Sequence, residues 1–106
     1  MKIGMVIYSG DSETVWNAFR LGIFALKQED DVTVFLLAKG VECQQMNKGA
    51  FNVAEIMDEF LAASGKILVC GACLKQRQTE NAGVCELSTM QDLHHLIRDS
   101  DKVLTF

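Results

Sequence analysis

Residues 68–77, LVCGACLKQR, hold Cys70 and Cys73 in C-x-x-C spacing, with Lys75 and Arg77 just behind them. A cysteine pair at this spacing serves as half of a zinc site, as a redox disulfide, or as a nucleophilic thiol with a helper. Two small buried residues give the same pattern. The nucleophile reading has the most local support. Cys70 falls at the end of a strand-like run, KILVC, and helix-initiating sequence follows at once. Free backbone amides and the positive end of a helix dipole favour a thiolate there. Lys75 and Arg77 add positive charge, Gly71 lets the backbone approach a ligand closely, and Cys73 lies within disulfide or relay distance.

The competing chemistries fit less well. A structural zinc site needs four ligands, which Cys70, Cys73 and Cys85 with His94 or His95 could supply. There is no second C-x-x-C and no H-x3-H, and adjacent histidines on a helix point about 100° apart; no metal is expected. A thioredoxin-like pair normally follows the first strand of its domain and faces a cis-proline. This chain has no proline, and its pair follows a third strand. Stable dithiol oxidoreduction is disfavoured, while a transient disulfide stays open.

A second group of polar residues, SGDSE at 9–13, follows the first strand and opens a helix. Its backbone amides could hold an anion, as in a flavodoxin phosphate loop. Asp11 and Glu13 would repel a phosphate, and Phe51 is the one aromatic placed to contact an isoalloxazine. A capped helix start is the favoured reading, and no cofactor is expected. Ser9, Asp11 and Cys85 stand as auxiliary candidates for the cysteine site. Cys43 is taken as incidental, and Trp16 is assigned to the core or a subunit interface.

The elements that must position these residues alternate between strand and helix. Strands are expected at 2–8, 32–38, 66–70 and 102–106, with a weaker one at 84–87. Asp11 or Ser12 caps a first helix that turns Val15, Phe19, Ile23 and Leu26 inward. Residues 39–51 read as a loop. Asn52, with Glu55 in capping-box position, starts a second helix with a stripe of Val53, Ile56, Met57, Phe60 and Leu61, ended by Gly65. A short helix is expected from about Ala72. Ser88 or Thr89 caps a last helix with Met90, Leu93 and Ile97 inward. The alternation predicts an α/β fold, a three-layer sandwich with a mostly parallel sheet of about five strands flanked by helices. In such sheets ligands gather at the carboxyl ends of the strands. The segments at 9–12, 39–52 and 70–77 all leave those ends.

At 106 residues the chain is read as one domain, 1–106. Its formal net charge of −4, from 10 Lys plus Arg against 14 Asp plus Glu, argues against nucleic acid as a direct partner. Apolar runs reach strand length and stay far short of the ~20 residues of a membrane span, so no membrane partner is expected. No signal-peptide pattern precedes the first strand, which predicts a cytoplasmic protein whose four cysteines are free thiols, metal ligands or catalytic groups rather than a disulfide frame.

Four segments in order carry a resemblance. GDSETVWNAFRLGIFAL is similar to the first turn and helix of the DsrE/DsrF-like (YchN-like) family of sulfur-relay proteins. VTVFLLAKGVE is similar to its second strand and following loop, LVCGACLKQR to its C-x-x-C-x3-R segment, and CELSTMQDLHHLIRDSDKVLTF to its closing segment. The likeness runs over essentially the whole length, with one departure: Gln78 stands where many relatives have Gly after the arginine. The resemblance implies assembly as a homotrimer or homohexamer and passage of sulfane sulfur as a cysteine persulfide between donor and acceptor proteins. It puts the active cysteine of single-cysteine sulfurtransferases at Cys70 and the second cysteine at Cys73. On this basis a Cys70 thiolate, stabilised by Lys75 and Arg77, is expected to take the outer sulfur of a donor persulfide. His94 and His95 are left as surface or interface residues. The alternative is a non-catalytic DsrE-like assembly or binding subunit whose cysteines sense redox state or bind metal.

Overall fold

A computed structural model describes residues 1–77 and 85–106. Strand β1 (Lys2–Ile7) leads through helix α1 (Ser12–Lys27) to β2 (Asp31–Leu36). A 3-10 helix (Ala38–Gln45) follows, then a small hairpin of β3 (Asn47–Lys48) and β4 (Phe51–Asn52) and helix α2 (Val53–Ala62). The remainder is β5 (Lys66–Cys70), α3 (Gly71–Gln76), β6 (Glu86–Ser88), α4 (Met90–Asp99) and β7 (Lys102–Thr105).

Five strands form one sheet in the order β6-β5-β2-β1-β7, every neighbouring pair parallel. From β1 the chain steps outward through β2 and β5 to β6, and the crossovers put α1 and α2 together on one face. The return to β7 places α4 on the other. This is the expected three-layer α/β sandwich. The core between the sheet and the α1–α2 layer holds Phe19, Phe60, Met5 and Met57, all fully buried, with Phe19 and Phe60 packed edge to face at 5.4 Å.

The caps follow the sequence. The Asp11 carboxylate accepts the Thr14 N–H at 2.9 Å, and the Asn52 side chain accepts from Glu55 N–H at 3.2 Å. Thr89 and Asp92 form a reciprocal capping box at α4. Several expectations need correction. Residues 39–51 are no plain loop: a 3-10 helix and a hairpin occupy most of them. The stop after α2 is made by Ser64 in the left-handed region (φ 77). Gly65 is needed for a different reason, since an added Cβ there would lie 2.3 Å from the Phe60 ring. On α4 the inward residues are Leu93 and Leu96, whereas Met90 and Ile97 are 58% and 49% exposed. The helix lies on its sheet face without burying any residue completely, so its apolar stripe is shared between sheet and surface. The expected strand start at Val84, and Gln78, lie outside the described residues.

Candidate active site at the carboxyl end of β5

The site is built by the junction of β5 and α3. KILVC is β-branched and apolar, and its last four residues are buried. Cys70 ends the strand and serves as the N-cap residue of α3. The short helix then carries Gly71, Cys73, Lys75 and, at its C-cap, Arg77. One turn separates Cys70 from Cys73, so both sulfurs fall on the same side and close enough to influence one another; both are free thiols.

The two sulfurs differ in environment. Cys70 retains 2% of its surface and borders a cavity of about 300 Å³ walled by Ala72, Leu87 and Met90 among others. Its side chain makes no capping hydrogen bond, although the nearby N–H groups of Ala72 and Cys73 favour its thiolate. Burial, and then the neighbouring Cys73 thiol, outweigh those amides and push the Cys70 thiol up from its ordinary value. The expected low-pKa thiolate at Cys70 is therefore corrected: desolvation wins over a six-residue helix. Cys73 is only half-buried, and its Sγ accepts the Ala38 N–H at 3.4 Å.

Ala38 opens the 3-10 helix with φ 50, a conformation few alanines adopt. Gly40 anchors the same turn against the end of β1. A Cβ there would lie 2.1 Å from the Ile7 carbonyl oxygen, so only glycine allows the approach. Leu37 N–H closes onto that carbonyl at 2.9 Å. Sequence reasoning missed Ala38 and also Glu42, whose carboxylate accepts from Arg77 Nε at 3.0 Å. Arg77 Nη1 also donates to the Cys73 carbonyl at 3.3 Å. Arg77 thus joins α3 to the 3-10 helix, while Lys75 is exposed. At Gly71 an added Cβ would only touch Leu87 at 3.4 Å, so packing does not demand glycine there.

The other candidates sit apart in role. Ser9 Oγ accepts the Asp11 N–H at 3.0 Å, and the Asp11 carboxylate is occupied by Thr14, whose N–H holds it below the usual carboxylate range. Cys85 is buried, and burial pushes its thiol up to about 11. Cys43 is fully buried with its sulfur 3.3 Å from Met57 Sδ and its thiol pushed up to about 12. Trp16 packs edge to face on Phe51 at 5.5 Å with Arg20 over its ring, so each of these rings is engaged by protein. His94 and His95 are exposed on α4. Among the described residues no three His, Cys, Asp or Glu side chains are grouped to hold a metal ion. Nor is any helix among them long and apolar enough to cross a membrane.

The family model described as DsrE/DsrF-like matches residues 1–106. The chain belongs to the DsrE/DsrF-like family. Among known proteins the chain is similar to an uncharacterized protein of Methanocaldococcus jannaschii, 31% identical over an alignment of 114 residues that spans 100% of both chains. Another, from Methanopyrus kandleri, is 27% identical over 89% of this chain and 83% of its own. The DsrE/DsrF-like architecture is matched by the crystal structure of the YchN protein from E. coli, with a TM-score of 0.89, 26% identity, and coverage of 100% of this chain and 99% of that one. A conserved protein of unknown function from Bacteroides thetaiotaomicron shares the fold at a TM-score of 0.80 and 15% identity, over 99% of this chain and 94% of its own.

Proposed function

We propose that the Cys70–Cys73 pair carries sulfane sulfur as a persulfide, stored on Cys70, and that the chain relays it between a donor and an acceptor protein in the cytoplasm. The observation that carries this reading is the placement of two neighbouring free thiols at the carboxyl end of a parallel strand, one of them facing a cavity. Membership of the DsrE/DsrF-like family supports it. The chemistry asks for a thiolate to attack the outer sulfur of a persulfide and for room to hold the sulfur that arrives. Exposed Lys75 would draw an acidic partner segment toward the pair, and Arg77 would fix the helix that bears it.

We place the working unit as a homo-oligomer, a trimer or hexamer. The support is the apolar surface of the α4–β7 side, where Ile97, Val103 and Leu104 stay exposed beside an edge strand. The function is tested by incubating reduced protein with a persulfide donor and weighing it intact. A gain of one sulfur atom that vanishes in the Cys70→Ser/Cys73→Ser double variant is the expected result. No adduct on the wild type would refute the relay and leave a subunit whose thiols only sense redox state.

A further inference from the structure

The proposed storage residue is the less suited of the two sulfurs to make the first attack. Cys70 is almost wholly covered, whereas Cys73 is half-buried. A thiolate gains most from N–H donors aimed at it, and such bonds are stronger when the acceptor is charged. Cys73 Sγ receives one from an element outside its own helix, the Ala38 N–H at 3.4 Å. The turn that delivers it is held in a left-handed conformation, pinned by Gly40 against Ile7. Non-glycine residues persist in that region where surrounding structure over-determines them.

We propose that Cys73 is the sulfur through which the pair is loaded, that the Ala38 N–H is positioned to hold its charge, and that Cys70 receives the sulfur from Cys73 and stores it in the cavity beside β6. This rests on the persulfide reading above. In the first step the Cys73 thiolate attacks the outer sulfur of a donor persulfide, R–S–SH. The donor S–S bond breaks, its electron pair leaves with R–S⁻, and the outer sulfur with its proton is bonded to Cys73. In the second step Cys70 sulfur attacks that same outer sulfur. The Cys73 S–S bond breaks, and the Cys70 proton passes to the departing Cys73 sulfur beside it. The sulfane sulfur keeps its oxidation state throughout, so no oxidant or reductant is consumed. Ala38 is a positioning residue, acting through its backbone on Cys73.

Glutathione persulfide, time-resolved intact mass and peptide mapping test the route. Cys70→Ser should load one sulfur at the wild-type rate and keep it on Cys73, while Cys73→Ser should load roughly tenfold more slowly or worse. Loading of Cys70 at the wild-type rate in Cys73→Ser overturns the route and leaves the relay standing; no loading of any form overturns both. The amide's role is read separately from the pH profile of Cys73 alkylation by iodoacetamide in a Cys70→Ser background. Because the Ala38 side chain is exposed, substitutions there act through the backbone. Ala38→Gly keeps the left-handed turn and should keep the profile. Ala38→Val, which resists that φ, should slow alkylation several-fold at neutral pH and move the profile to higher pH. An unchanged profile in Ala38→Val, with the fold confirmed by circular dichroism, overturns the amide's part.

Discussion

Arg77 Nε sits 3.0 Å from Glu42 Oε2 across 35 residues of chain, and the pair fastens the end of α3 to the 3-10 helix that supplies the Ala38 amide. Both side chains are partly open to solvent, so the bond contributes little to global stability. Surface pairs of this kind are worth about 0–1 kcal/mol. Glu42→Gln should therefore leave the denaturant midpoint nearly unchanged. It should nevertheless speed hydrogen exchange at the α3 amides, because the link holds one local unit to another. Equal exchange rates in variant and wild type would show that α3 is held by its own packing.

Two glycines in turns should respond differently to alanine. At Gly65 the new methyl meets the buried Phe60 ring at 2.3 Å. Overpacking of this type costs about 1–3 kcal/mol. At Gly49 the φ is +60 but nothing lies within 4 Å, so the penalty is backbone strain alone, about 1 kcal/mol. Urea denaturation of Gly65→Ala and Gly49→Ala should reproduce this order. The reverse order would mean that Phe60 swings aside freely.

Alkaline pH should unfold the chain through its buried thiols. Cys43 and Cys85 are raised from 9.0 to about 12 and about 11 by burial. The folded values exceed the unfolded one, so the folded state holds the protons longer. Their stabilisation is complete below about pH 9 and is lost as pH rises through the folded values. In that window each thiol lowers the unfolding free energy by ~1.4 kcal/mol per pH unit. Cys43→Val should flatten the dependence by about that amount, measured by denaturant titrations between about pH 8 and pH 10.5. Identical slopes would contradict the buried, protonated Cys43.

Assembly is checked on the α4–β7 side. Light scattering should find the wild type as a trimer or hexamer. Ile97→Glu or Leu104→Glu should shift it toward smaller species, since a charge placed in an apolar interface carries a desolvation penalty without a partner. A wild type that runs as a monomer refutes the proposed working unit.

The sequence reading succeeds where the signal is local. KILVC, flanked by Gly65 and Gly71, is strand β5 to the residue. Asp11, Asn52 and Thr89 cap the helices because short acceptors precede apolar periodicity. It fails where the decisive partner is distant. Lys75 and Arg77 are visible beside the cysteines, but the covering of Cys70 depends on the fold, and burial reverses the expected ionisation. Ala38 carries no glycine signal for its left-handed turn, and the need for Gly40 comes from a carbonyl at the end of β1. Met90 and Ile97 fit an inward stripe by spacing, yet α4 rests on its sheet face without full burial, which periodicity does not encode.

Strand β1 is paired on one side with β2 and on the other with β7, Ile3 lying opposite Lys102. Its second neighbour is thus a segment made almost one hundred residues later in the chain. Such remote pairing raises the entropy of loop closure and slows the search for the native arrangement. On the ribosome, β1, α1, β2 and β5 can gather before the last strand emerges. The open side of β1 stays unpaired until β7 arrives, so the final closing of the sheet waits for the synthesis of β7 rather than for the assembly of the cysteine site.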